Sequence, residues 1–116
     1  SIKRAGVEVV RMKDKIRAIV KMPNDKYGHV VHISNTLEEL QKLVGGYIET
    51  VPIAADVMIV NEEGKLLGLK PNFQYGPDVI CGTMVMVGRD GENFGDCVLG
   101  FDAWKKWLDE YGRLDT

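Results

Sequence analysis

"LVGGYIETVPI" (residues 43–53) sets two adjacent glycines between an apolar, helix-like run and an alternating, strand-like run. A helix commonly ends with a left-handed residue just past its last turn, and glycine adopts that conformation at least cost. The pattern therefore predicts Gly45 as the helix stop, with Gly46 letting the chain reverse into the strand "YIETVPI". A phosphate-binding reading fits poorly. The pair lacks G-x-G-x-x-G spacing, and a helix before a strand turns no helix N-terminus toward a ligand.

The flanks agree. Upstream, Thr36 and Glu39 have the T-x-x-E spacing of a capping box, and Leu37, Leu40, Leu43 and Val44 recur at helical intervals, so a helix is expected over about 36–44. Before it, "IRAIVKM" (16–22) alternates up to Pro23 and "HVVHI" (29–33) follows a turn-rich "PNDKYG", which reads as a hairpin. After it, "DVMIV" and "KLLGL" flank "NEEG", which suggests a second hairpin with Gly64 left-handed in its loop. "PNFQYGPD" reads as an irregular connection. "VICGTMVMV" (79–87) is the most apolar run, expected as a central strand with Gly82 at a bulge or close approach. "GRDGENFGD" reads as a polar loop. The closing "FDAWKKWLDEYG" places Phe101, Trp104, Trp107, Leu108 and Tyr111 on one face of a helix over about 101–111, stopped by Gly112. The expected fold is α+β: a largely antiparallel, twisted sheet of about six strands with two helices packed on it. Residues 1–15 read as an N-terminal arm or extra strand ("GVEVV") and 16–116 as one globular domain.

Size and composition fit that domain. The chain has 116 residues, 45% hydrophobic and 28% charged, ordinary for a globular protein. No apolar stretch approaches the roughly 20 residues of a membrane-spanning helix, and "SIKRAGVEVV" lacks the apolar core of a signal peptide. Cys81 and Cys97 have neither metal-ligand nor disulfide-framework spacing, which points to reduced, partly buried side chains in a cytoplasmic protein. The net charge of −2 divides unevenly: residues 1–26 carry eight Lys/Arg and three acids, the remainder seven and fourteen. Basic residues alternating outward along a strand account for the first part, and the acidic body argues against general nucleic-acid binding.

Residues with chemical potential are few. His29 and His32, three apart on a strand, point to opposite faces and do not chelate one metal together, so no metal or cofactor is expected. Glu49, Glu62, Glu63, Asp56 and Asp90 fall near turns or strand ends; a carboxylate-dependent enzyme needs only two acids about 5 to 9 Å apart, but no motif supports one. The more informative set for ligand or partner binding is Tyr47, Glu49, Asn61, Glu62 and Asn72. Tyr47 and Glu49 share one face of the strand while Ile48 faces the other way, an arrangement that serves a polar ligand or a simple cross-strand pair.

The blocks "LEELQKLVGGYIETVPI", "VMIVNEEGKLLGLKPN" and "GTMVMVGRDGENFGDC" together resemble a small family of domains of unknown function, encoded mainly by bacteriophages and mobile elements of Gram-positive and gut bacteria. The resemblance covers about residues 16–112 and keeps the order VGGYIE, NEEG, Asn72, then Gly82-Thr83. It departs at Phe73, where the family often has arginine, and in the tryptophan-rich last helix. The resemblance implies a non-enzymatic accessory protein that binds a host bacterial protein in the host cytoplasm, as an inhibitor of a defence system. A trap for a small nucleotide signal is the alternative, with Lys65, Lys70 and Arg89 as the available cations. Gly45, Gly46, Gly64 and Gly82 carry over as structural signature positions. An exposed edge such as "HVVHI" offers a route to a homo-oligomer.

Overall fold

In the computed structural model, described over residues 15–114, the elements follow the order β1 (Lys15–Lys21), β2 (His29–Ser34), α1 (Leu37–Val44), β3 (Ile48–Ile53), β4 (Asp56–Asn61), β5 (Pro71–Tyr75), β6 (Asp78–Cys81), β7 (Met84–Asp90), β8 (Asn93–Gly95) and α2 (Phe101–Tyr111). The expected strand "GVEVV" lies outside the described residues. Five strands pair in the order β2-β1-β7-β4-β3, β8 joins β7, and every pairing is antiparallel. The expected α+β sheet of about six strands with two helices is thus what forms.

Period-two alternation divides the core into two layers. On one face Ile16, Ala18, Val57, Ile59, Val85 and Val87 meet Leu40 and Val44 of α1. On the other, Ile19, Met58, Val60, Met84 and Met86 meet Phe73, Ile80, Trp104 and Leu108. Strand β4 is buried along its whole length, as a strand covered on both faces must be. One helix therefore covers each face, and α2 shares its side with the β5–β6 hairpin. Its stripe is core as expected at Trp104 and Leu108, with Phe73 and Trp104 edge to face at 5.4 Å. Tyr111, however, stands exposed at the end of the helix.

The diglycine joint resolves into two devices. Thr36 Oγ1 accepts from the Glu39 amide at 3.2 Å to start α1, and Gly45 (φ 79°) ends it, donating to the Gln41 carbonyl at 2.8 Å. Gly46 has no positive φ. A Cβ there would sit 2.9 Å from Asn61 Nδ2, so this glycine admits the Asn61 amide.

Four expectations need correction. "KLLGL" is not a strand. Residues 62–68 form turns in which the Leu67 amide reaches the Glu63 carbonyl (2.8 Å), Gly68 reaches Lys65 (3.0 Å) and Leu69 reaches Gly64 (2.9 Å). Two adjacent leucines cannot share one face of a strand, whereas here both point to solvent. The left-handed residue is Gly68 (φ 71°), while Gly64 lies where a Cβ would meet the Cys81 carbonyl at 2.7 Å. The hairpin partner of β4 is instead β3, through a two-residue Ala54-Ala55 turn with Ala54 at φ 51°. "PNFQYGPD" is not irregular but carries β5 and the turn into β6. The run 79–87 splits at Gly82 (φ 88°) into β6, paired with β5, and β7, the centre of the large sheet. Finally, "GRDGENFGD" contains the tight β7–β8 turn with Gly91 at φ 62°.

Candidate functional site

A groove of about 340 Å³ opens where β3, the end of β4, the 62–66 turn and β6 converge. Its apolar wall includes Val51, Val60 and Ile80; its polar groups include Glu49, Asn61, Glu62, Glu63, Lys65 and Asp78. Glu49 arrives by strand parity, on the same face as Val51 and Ile53. Lys65 and Asp78 form an exposed ion pair. Their mutual hydrogen bond raises the lysine above its ordinary pKa and lowers the carboxyl below its own, so Asp78 is ionised.

Asn61 builds this site rather than offering itself to a ligand. It is buried, its Nδ2 donates to the Val44 carbonyl (3.1 Å) and its Oδ1 accepts from the Glu63 amide (2.7 Å). One side chain thus satisfies an orphan carbonyl at the end of α1 and holds the start of the 62–68 turn. Tyr47 stands beside the groove, 68% exposed, and its carbonyl accepts from the Glu62 amide at 2.9 Å. Of the five binding candidates, then, Glu49, Asn61 and Glu62 line one groove, and Tyr47 is tied to it through its backbone carbonyl on Glu62.

Asn72 lies elsewhere. Its Nδ2 donates to the Lys21 and Gly82 carbonyls, both at 2.8 Å, and its Oδ1 accepts from Lys21 Nζ at 2.6 Å. It ties the end of β1 to the break between β6 and β7. Lys21 is buried beside it; loss of solvent lowers its pKa, against the opposing charge of Asp25.

The acids do not form one cluster. Glu49, Glu62 and Glu63 share the groove, Asp90 lines a separate one, and Asp56 is buried as an anchor. Asp56 Oδ1 accepts from the Val98 amide and Oδ2 from the Leu99 amide, both at 2.9 Å, with Cys97 Sγ at 3.3 Å. Arg17 Nη1 donates to the Cys97 and Leu99 carbonyls at 2.9 and 3.0 Å, so the segment entering α2 is held from both sides. Burial first, and then the Asp56 charge, push the Cys97 thiol to about 11. Both cysteines are free, as their spacing implied. Among the described residues no group of three His, Cys, Asp or Glu could hold a metal ion, and no helix is long and apolar enough to cross a membrane.

Sequence reasoning missed Asp56 as an anchor and the leucine pair of the turn, and the outward alternation expected of the basic residues fails at Lys21, which is buried. Only Lys21 had a local signal, since it shares strand parity with the inward-facing Ile19.

A two-faced antiparallel sheet, with one short helix on one side and a hairpin plus aromatic helix on the other, defines a small α+β domain bearing an acidic groove. The chain belongs to the domain of unknown function family DUF3846, whose family model matches residues 16–112. No curated protein and no solved structure gives a significant match.

Proposed function

We propose that this domain is a non-enzymatic accessory protein of a phage or mobile element that binds a host bacterial protein and so inhibits a defence system. The observation that carries the reading is the 62–67 ridge. Leu66 is 82% and Leu67 56% exposed, on a turn closed by Gly68 and held at its start by Asn61, with Leu66 bordering the groove of Glu49 and Glu62. Exposed apolar side chains on a rigid support, next to a groove with polar rims, suit protein recognition, because little ordering entropy remains to be lost on binding. The charge of the groove favours a protein segment over a nucleotide signal. Among the described residues that line it, Glu49, Glu62, Glu63 and Asp78 outnumber the one cation, Lys65, and Lys65 is already paired.

The test compares the wild-type chain with a Leu66→Ser/Leu67→Ser variant as baits in host lysate, followed by reconstitution with the purified captured protein. Both leucines are solvent-facing, so the variant keeps the wild-type circular dichroism and melting temperature. The expected outcome is a direct partner whose affinity falls tenfold or more in the variant, the cost of losing buried anchors. Equal capture by both baits, or no protein that binds directly, refutes the proposal.

A further inference from the structure

A second groove, of about 370 Å³, is bounded by the loop after β1, by β5 and by the C-terminal end of α2. Lys21, Asn72 and Phe73 form its floor and are almost fully buried, Lys21 to 3% exposure. An ammonium group carries three N–H donors. Here Nζ makes one short bond, to Asn72 Oδ1 at 2.6 Å, while the carbonyl oxygens of Met22 and Asn72 stand at 3.5 Å, too far for good hydrogen bonds. The ion pairs among the described residues are Lys65–Asp78 and Lys105–Asp102, so no carboxylate of theirs lies within 4.0 Å of Lys21. Burying a charge with neutral, incomplete hydrogen-bond partners is costly even with the charge of Asp25 acting on it from a greater distance, and an anion completing the donor set lowers that cost.

The groups around the groove define which anion. Asp25 accepts from the Met22 amide (3.0 Å) and Asp109 from the Tyr27 hydroxyl (2.9 Å), so both aspartates are engaged. Lys21, Lys26 and Arg113 against these two leave a single positive charge among the described lining residues. One negative charge balances it, whereas a phosphate dianion would meet both aspartates. Pro23, Tyr27 and Leu114, which keep exposed surface, supply apolar contact for the body of such a molecule. We infer that this groove binds a small organic carboxylate, whose oxygens take the N–H groups of Lys21 that Asn72 leaves free while its apolar part rests between the 22–27 loop and α2. This site is independent of the 62–67 ridge.

The experiment titrates the full, 15N-labelled chain with sodium benzoate and sodium hexanoate, following amide and lysine side-chain resonances. Sodium phosphate at matched ionic strength and benzyl alcohol serve as comparators. The expected result is saturable shifts at Lys21, Tyr27, Asn72 and Phe73 with a carboxylate, weaker effects of phosphate, and none from the alcohol. Lys21→Met weakens carboxylate binding tenfold or more, since a charge-assisted bond is lost. Arg113→Gln, at an exposed position that leaves the fold intact, weakens it severalfold and decides the matter if Lys21→Met fails to fold. No saturable shift with either acid, equal binding of benzyl alcohol or phosphate, or wild-type affinity in a folded variant overturns the inference.

Discussion

Gly46 and Asn61 make a testable pair because each explains the other. Asn61→Ala removes two hydrogen bonds and leaves the Val44 carbonyl and Glu63 amide without their partner. At about 1–3 kcal/mol for each stranded group, tempered by partial rehydration of the Glu63 amide, the loss is about 3 kcal/mol. Gly46→Ala places a methyl carbon 2.9 Å from Asn61 Nδ2, so the amide must shift and its bond to Val44 is weakened, costing about 2 kcal/mol. In an Asn61→Ala background that obstacle is gone. Since Gly46 has no positive φ, the same alanine then stabilises by about 0.4–1 kcal/mol through the unfolded chain. The second substitution changes sign, and the coupling energy of the double-mutant cycle exceeds about 2 kcal/mol. Urea unfolding of the four proteins, followed by tryptophan fluorescence from the buried Trp104, measures it. Additive costs would refute the claim that Gly46 exists to admit the Asn61 amide.

Two other outcomes follow from the Asp56 anchor. Asp56→Ala strands the Val98 and Leu99 amides, so stability falls by about 3 kcal/mol, and hydrogen exchange at those two positions accelerates well before that of the central strand. Cys97 has its folded pKa raised from 9.0 to about 11, so its contribution is fully present below pH 9 and is lost as pH climbs through 11. Wild type should therefore lose on the order of 2 kcal/mol more than Cys97→Ala between pH 8 and 11, measured by urea midpoints; parallel curves would contradict the assignment.

What was legible in the sequence was whatever is written locally. Helix α1 carries both its start signal at Thr36 and its stop at Gly45 within ten residues, and β1 and β2 pair as the hairpin expected around the 23–28 turn. "KLLGL" misled because apolar content was read without alternation, and the left-handed glycine of the turn is Gly68, four residues beyond the one expected. The split at Gly82 was hidden because β6 and β7 are both apolar, and only their different partners distinguish them. The binding candidates were harder still. Glu49 and Glu62 come together through the β3–β4 register, which places Ile48 opposite Asn61. Asn61 and Asn72 looked like ligand groups, but each amide donates to a carbonyl far along the chain, Val44 and Lys21 at 17 and 51 positions, beyond the reach of any motif; only the Asn61–Glu63 contact is local. The same distance conceals Asp56, whose amide donors lie more than 40 residues downstream.

The strand order has a consequence for synthesis. The hairpins β1–β2 and β3–β4 are complete once residue 61 has left the ribosome, yet neither touches the other within the sheet until β7 slides between them. Until then β1 and β4 each present a bare, apolar edge, and such edges invite pairing with the wrong chain. A nascent fragment stopping short of residue 84 thus lacks the keystone of its own sheet. Productive folding of this domain is a late, closing event, in which the last strand of the central set unites two halves that were made first.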